Sequence, residues 1–542
     1  MVCRDPMLTL PALLRDLAAR HGDRPLLVLG ERTLRYAEAE RESAHLARGL
    51  LSVGVGKGTR VGVWMPNGPD WLLAWMAAAR IGALVVPVNT FFRARELGFV
   101  LRHADVHTLL CVDSVAKQDL LATLEGAAPE LAGQRPGPLF APSLPHLRAV
   151  RVWGACSREW ASEGPADLKA RAAGAPGVDE TLLRAVEACV APADPMVVIY
   201  SSGSTGDPKG AIHSHGALLR HSLQLNAYRD LRADDRIYAP MPFFWIGGLV
   251  FTLLSALHAG ATLVCEETFE PGRTLALLER ERVTLVAGWP HYGKAMREHV
   301  SFPTRDLSSI RGGNLYDLLP GALRPVDPEL RSNSLGMTET CGPHTFARMD
   351  EDLPEKLRGS FGRAVPGIEH RIVDPETSVV LPAGSTGEIC VRGYSVMQGL
   401  CKVERQDTFD RDGFYHTGDI GSFDAGGVLF FHGRRGELIK TAGANVTPRE
   451  VEQVLLAQPE IVEAYVVGVP DAERGENVAA AIVLRADASL DAEELRKRLR
   501  RELAAYKVPR RFAFLLHDAL PFTDSGKIDK RRLAAVLSER AS

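Results

Sequence analysis

The chain has 542 residues, 46% of them apolar and 24% charged, and carries a formal net charge of −3. This is an ordinary globular balance at a length that suggests about three or four structural units, with core enough to need no disulfide or metal staple. Acids and bases are spread along the chain, which argues against a nucleic-acid binder with its basic stripe, and the eight cysteines form no C-x-x-C pair, so they read as reduced thiols of a cytoplasmic protein.

The opening residues hold no long apolar run, so no signal peptide is expected. Residues 8–21 and 37–51 place apolar side chains at helical spacing, with a short strand at 33–36 between them. A strand at 61–65, a helix at about 70–81 and a buried strand at 83–88 follow. The apolar stretch 71–86 is interrupted by Arg80 and falls short of the ~20 residues a membrane span needs, so it reads as a core helix running into a buried strand. Strands alternating with helices predict a parallel, helix-covered sheet. Residues 126–176, rich in Pro, Gly and Ala, break the pattern and read as a long surface excursion. Alternation resumes at 196–200 and runs to about 335. From about 361 short strands with turn signals (370–373, 387–391, 428–431) suggest a small β unit. Beyond Gly433 lies a compact segment with a helix at 448–456, strands at 463–469 and 478–484, and a helix at 491–503, the size of a small separate domain.

The strongest local signal is Val197-Val-Ile-Tyr-Ser-Ser-Gly-Ser-Thr-Gly-Asp-Pro-Lys-Gly210, where a β-branched strand enters a loop of three glycines, four hydroxyl residues and one lysine. Glycines let a backbone approach phosphate closely, and hydroxyl and N–H groups donate to its oxygens. A Walker A loop needs Gly before the lysine; Pro208 stands there, which excludes a P-loop kinase.

This loop resembles the phosphate loop of the adenylate-forming superfamily of acyl-CoA synthetases, luciferases and adenylation domains, and the family's other motifs follow in order. Ser334-Leu-Gly-Met-Thr-Glu-Thr340 resembles the adenine-loop motif. Gly387-Glu-Ile-Cys-Val-Arg-Gly393 and Tyr415-His-Thr-Gly-Asp419 match the β unit. Gly433-Arg434 onward resembles the hinge, and Phe522-Thr-Asp-Ser-Gly-Lys527 the C-terminal lysine motif. The resemblance spans nearly the whole chain.

It implies a large N-terminal AMP-binding domain over residues 1–433, with α/β subdomains 1–190 and 191–355 and a β-barrel-like subdomain 356–433. A hinge at 434–436 and a small, mobile α+β domain at 437–542 complete it. The implied reaction is acyl-CoA synthesis: ATP activates a carboxylic acid to acyl-AMP, and coenzyme A takes the acyl group as a thioester. Ser201, Ser202, Gly203, Ser204, Thr205, Gly206 and Lys209 would hold the phosphates. Ser334, Leu335, Gly336, Met337 and Thr338 would hold the adenylate, with Asp419 and Arg434 on the ribose. Glu339 would hold Mg²⁺, a hard cation that takes oxygen ligands. Lys527 would stabilise charge developing at the α-phosphate; Thr205, Lys209 and Glu339 complete the expected catalytic set. Gly443 and Ala444, in the segment 440–445, would face the pantetheine arm, and Gly436 would be the hinge residue.

Several positions depart from the family pattern. Leu335 replaces an aromatic that stacks on adenine. Trp245 stands where acyl-CoA synthetases often have His, Gly436 where the hinge has Asp or Lys, and Asn445 where some relatives carry a phosphate-binding Arg. The loop Gly312-Gly-Asn-Leu-Tyr316 lacks the usual Gly-Ala-Pro. An enzyme that mainly consumes a pre-formed acyl-adenylate is therefore one alternative, and a carrier-protein ligase is another. Trp245 cannot pair with a substrate ammonium, which disfavours amino acids. Trp245, Ile246, Tyr292, Gly312 and Met337 suggest an apolar acyl pocket. His213 and His215 read as structural, and Cys341, with no adjacent His, as packing. No integral membrane segment and no nucleic-acid partner are expected, and the resemblance admits a homodimer.

Overall fold

The computed structural model describes residues 8–116, 118–135, 137–154, 156–201, 207–435, 439–446, 448–522 and 528–539. The chain divides into two compact units. One comprises residues 1–90, 101–200 and 210–433; the other gathers 91–100, 201–209 and 434–542.

The first unit is built on two largely parallel sheets. In one, Arg60–Trp64 lies between Leu84–Pro87 and Thr108–Val112, all parallel. Pro195–Ser201 joins beside Leu84–Pro87, followed by Lys209–Ser214 and the short antiparallel Gly399–Leu400. On the far side Ala149–Trp153 pairs in parallel with Thr108–Val112. Residues 126–176 are thus not simply the surface excursion that composition suggests. Val150 and Val152 are buried in the sheet, and the neighbouring Arg151 is paired with Asp167. A second sheet runs Gly312–Gly313, Leu285–Val286, Arg236–Tyr238, Thr262–Cys265, Pro25–Leu29 and Arg32–Arg35.

Helix Pro69–Arg80 shows how the core is made. Proline starts it with no backbone N–H to orphan. Trp71 and Trp75 stack with centroids 6.1 Å apart, and Trp71 meets the edge of Phe243 at 5.3 Å. Arg80 at its end is fully buried. Its guanidinium donates to the Glu187 carboxylate (2.6 Å), the Glu40 carboxylate and backbone oxygen (2.8 and 2.7 Å) and Ser43 Oγ (2.8 Å). A buried charge is tolerable when every donor is engaged in this way. None of the described helices is long and apolar enough to cross a membrane.

The same unit ends in antiparallel structure. Leu335–Met337, Gly342–Phe346 and Arg363–Ala364 make a three-stranded sheet, and Ile368–Val373, Gly387–Gly393, Tyr415–Phe423 and Leu429–Arg434 a four-stranded one.

The second unit centres on the long hairpin Ile461–Asp471/Gly475–Leu484, whose second strand also takes Arg511–Phe514 in parallel. Helices Pro448–Leu456 and Ala492–Glu502 bury Val451, Val454, Leu455, Leu495 and Leu499 against it. Asp491 caps the second helix by accepting from Glu494 N. Lys507 is 2% exposed and bridges Glu96 and Glu450, each at 2.7 Å.

Candidate functional site

Thr338 and Glu339 lie in a 3₁₀ turn, Thr338–Thr340, between two strands of the three-stranded sheet. The turn is held from several sides. Thr340 Oγ1 accepts from Met337 N (3.2 Å) and donates to the Gly342 oxygen (2.8 Å). Cys341 closes it in the left-handed conformation, φ +63°, and its amide reaches the Thr338 oxygen at 3.2 Å. Met397 N donates to the Glu339 oxygen at 2.8 Å. His213, from strand Lys209–Ser214, donates to the Thr338 oxygen at 2.7 Å. Gly336 permits the close return of the chain: a Cβ there would sit 2.4 Å from Gly342 backbone atoms. Thr338, Glu339 and Met337 remain half-buried and Ser334 exposed. Leu335 is different. It is 6% exposed and belongs to the hydrophobic core, so its side chain offers no surface for a ligand to stack on.

Behind this turn stand histidines with structural work. His221 bonds the Pro343 oxygen (2.8 Å) and Tyr394 Oη (3.1 Å). His344 and His370 bond each other at 2.8 Å. Leu10 N donates to His215 Nδ1. Burial pushes His213, His215 and His221 down to about 4, and no cluster of metal-ligating side chains occurs among the described residues. Burial likewise pushes the Cys341 thiol up, consistent with packing and not with nucleophilic attack.

Asp419 is 2% exposed in strand Tyr415–Phe423. The pairing with Gly387–Gly393 slips there, between Glu388 and Cys390, so Thr417–Gly418–Asp419 bulges. Glu388 accepts from Gly418 N at 3.0 Å, and Thr417 Oγ1 accepts from Asp419 N at 3.0 Å while donating to the Ile389 oxygen at 2.6 Å. Bulges are common next to active sites.

Trp245 begins an aromatic wall. It meets Phe244 at 5.4 Å and Trp289 at 6.0 Å, Trp289 meets Tyr292 at 5.9 Å, and Tyr292 meets Phe269 at 4.5 Å. Ile246 leads into the π-helical segment Gly247–Leu254, a geometry frequent at functional sites. Gly312 falls elsewhere. It lines a cavity of about 350 Å³ together with Tyr228, Arg229, Phe251, Gly313 and Arg324, and the lining includes none of Trp245, Ile246, Tyr292 or Met337. The sequence signals for an acyl pocket thus separate into an aromatic wall and a cavity along the sheet's edge strand.

Lys209 and Ser201 are half-buried at strand ends, Gly443 is exposed and Ala444 buried. Ser202, Gly203, Ser204, Thr205, Gly206, Gly436 and Lys527 lie outside the described residues, as do the side chains of Arg434 and Asn445.

Residues 14–401 match the AMP-binding enzyme family and residues 450–527 its AMP-binding enzyme C-terminal domain. The chain is 31% identical over 545 residues to YngI of Bacillus subtilis (strain 168), named as an acyl-CoA synthetase, covering 97% of this chain and 96% of that one. It is 32% identical over 533 residues to the mitochondrial medium-chain acyl-CoA ligase ACSF2 of Rattus norvegicus, covering 95% and 85%. A solved o-succinylbenzoate CoA synthetase (MenE) from Bacillus subtilis is similar with a TM-score of 0.74 and 25% identity, covering 98% of each chain.

Proposed function

The chain belongs to the AMP-binding enzyme family, and on that premise we propose that it is an acyl-CoA synthetase joining an apolar carboxylic acid to coenzyme A at the expense of ATP. It is an AMP-forming acid–thiol ligase in the manner of its acyl-CoA-forming relatives. In the first step a carboxylate oxygen attacks the α-phosphorus; the bond to the bridging oxygen breaks, and pyrophosphate leaves. In the second the thiol sulfur attacks the acyl carbonyl, losing its proton, and AMP leaves.

The observation that carries this reading is the braced Thr338–Glu339 turn. Several independent hydrogen bonds fix its backbone while Thr338 and Glu339 stay half-buried, an arrangement suited to preorganised contact with phosphate oxygens. Thr338 would donate to the α-phosphate and Glu339 would hold Mg²⁺. A half-buried carboxylate beside a hydroxyl fits a hard cation, which when bound would neutralise phosphate charge. Asp419 on its bulge would accept from the ribose hydroxyls, with Arg434 at the same ribose. Ser201, Ser202, Gly203, Ser204, Thr205, Gly206 and Lys209 would cradle the phosphates. Lys527 would serve the first step and Gly443 and Ala444 the second, about a hinge at Gly436 between residues 1–433 and 437–542. Reduced cysteines are the ground for assigning the protein to the cytoplasm; the seven described are all free.

Leu335 favours a second reading. With its side chain in the core, the adenine loses a stacking partner worth about 1 kcal/mol, so the enzyme would consume an acyl-adenylate better than it makes one. A panel of acids with ATP and CoA, scored separately for pyrophosphate and thioester, decides between them. Pyrophosphate formation with Lys527→Ala falling far more than thioester formation from synthetic acyl-AMP supports two-step synthesis. Thioester from acyl-AMP with no pyrophosphate from any acid overturns it.

A further inference from the structure

The cavity beside Gly312 contains more charge than an apolar acid uses. It follows the edge strand Gly312–Gly313, where two glycines put backbone, not side chains, against the space. Leu319, Leu323 and Val326 supply apolar lining, and Leu323 and Val326 are 44% and 100% exposed. Four arginines also line it, together with Asp230, Asp350 and Asp352. Arg311 is paired with Asp235 at 2.6 Å and Arg331 with Asp352 at 2.8 Å. Arg229 and Arg324 are not paired with any carboxylate among the described residues. Arg324 donates to the backbone oxygens of Asp317 and Leu319.

Arg229 is the more telling of the two. Its guanidinium lies 3.8 Å over the Phe251 ring and donates through Nη1 to the Phe251 oxygen. A guanidinium has five N–H donors, and Arg229 lines the cavity with one hydrogen bond, to the Phe251 oxygen, found among the described residues. Burial works against its charge and Asp235 offsets this only in part, its carboxylate oxygens being bonded to Arg311. A cation held over an aromatic ring, with no carboxylate bonded to it among the described residues, is set to receive an anion, and its planar fork suits a carboxylate.

We propose that this cavity receives the far end of the substrate acid and selects acids that carry a second anionic group, bound by Arg229, beyond an apolar body. This rests on the acyl-CoA synthetase reading but replaces its purely apolar acid with a dicarboxylic or similarly ω-anionic one.

The test compares straight-chain diacids of four to ten carbons with monoacids of equal length, octanedioate against octanoate being the central pair. The readouts are kcat/KM for thioester formation and, without ATP or CoA, equilibrium dialysis of radiolabelled octanedioate. The wild-type enzyme is expected to bind octanedioate more tightly than octanoate. Arg229→Met is expected to lower the diacid-to-monoacid ratio by at least about tenfold, as a site built to bond a polar group loses that group's partner. Arg229→Lys keeps the charge and the stem over Phe251, guards against a folding defect in the first variant, and should retain part of the ratio. If Arg229 only braces Phe251, both substrates suffer alike and the ratio stays constant, which overturns the proposal; so does wild-type enzyme that neither binds nor turns over any diacid. Octanedioate binding that depends on Arg229, without thioester from any acid, upholds the site and defeats the synthetase reading instead.

Discussion

His213 Nε2 donates to the backbone oxygen of Thr338 across 2.7 Å, joining strand Lys209–Ser214 to the turn that carries Glu339. A carbonyl can only accept, so Nε2 bears the proton; Nδ1 is buried without a hydrogen-bond partner among the described residues, and burial keeps the ring neutral. The bond acts on backbone and leaves the Thr338 and Glu339 side chains available. His213→Phe keeps most of the ring's volume and removes the donor. We expect ATP-dependent pyrophosphate release to fall about tenfold, the scale of one lost hydrogen bond, with a smaller effect on thioester formation from pre-formed acyl-AMP. Single-turnover assays of the two steps check this. Equal losses in both steps would reduce His213 to a general packing residue.

That contact also marks the limit of sequence reading. Thr338, Glu339 and Asp419 were legible because hydroxyl, carboxylate and glycine types recur in a fixed order, and each motif carries its local turn with it. The helices at 8–21 and 37–51 were legible from periodicity because each buries one face of a continuous segment. Strand Ala149–Trp153 was not, since five residues with an arginine in the middle, set among Pro and Gly, carry little period-2 signal. What makes Arg151 tolerable is Asp167, a tertiary partner. Arg229, Phe251 and Gly312 form one wall from three distant segments, and no local pattern announces that. The histidines bracing the adenine-loop turn were visible as residues but not as a network, for the same reason.

Those histidines predict acid sensitivity. Burial pushes His213, His215, His221, His258 and His370 down to about 4 and His344 lower still, whereas an unfolded histidine titrates near 6.5. Between those values the unfolded chain binds protons that the folded chain refuses. Stability is therefore full above about pH 6.5 and declines as pH falls toward 4. Glu266 and Glu450, raised by burial, act in the opposite sense but are fewer. Each histidine contributes at most about 1.4 kcal/mol per pH unit, so a marked loss of stability between pH 6.5 and 5 is expected. Urea midpoints at the two pH values, with an unchanged m-value, measure it; identical midpoints would refute it.

Gly336 predicts a steric failure close to the site. Gly336→Ala would drive a Cβ to 2.4 Å from the Gly342 backbone and 2.5 Å from Pro343 N, atoms that cannot swing aside as a flexible side chain would. The Pro343 oxygen is also the acceptor of His221, so displacement spreads into the histidine network. A destabilisation of about 1–3 kcal/mol, the usual cost of overpacking, and loss of most pyrophosphate release are expected. A crystal structure of the variant with the 338–342 turn unmoved, together with full activity, would contradict this account.

Lys507 offers the sharpest test of a buried charge. It is 2% exposed, lies 2.7 Å from both Glu96 and Glu450, and has the rings of Phe92 and Tyr506 within 6 Å. Burial pulls the lysine down, and Tyr506, Glu96 and Glu450 together raise it past that pull. Burial raises Glu450, and the lysine opposes that rise; a second Glu450 oxygen is sealed from solvent with no hydrogen-bond partner among the described residues. One cation thus compensates two acids, and removing it leaves both uncompensated. Lys507→Met should destabilise the unit containing residues 434–542 by about 3–5 kcal/mol, the usual penalty for breaking a buried pair from one side. Adding Glu96→Gln and Glu450→Gln removes the stranded charges, and most of the lost stability should return. Denaturant unfolding of the single and triple variants separates charge from packing: recovery in the triple variant shows that the charge was the cause, while equal destabilisation of both would assign the loss to the lysine's apolar stem.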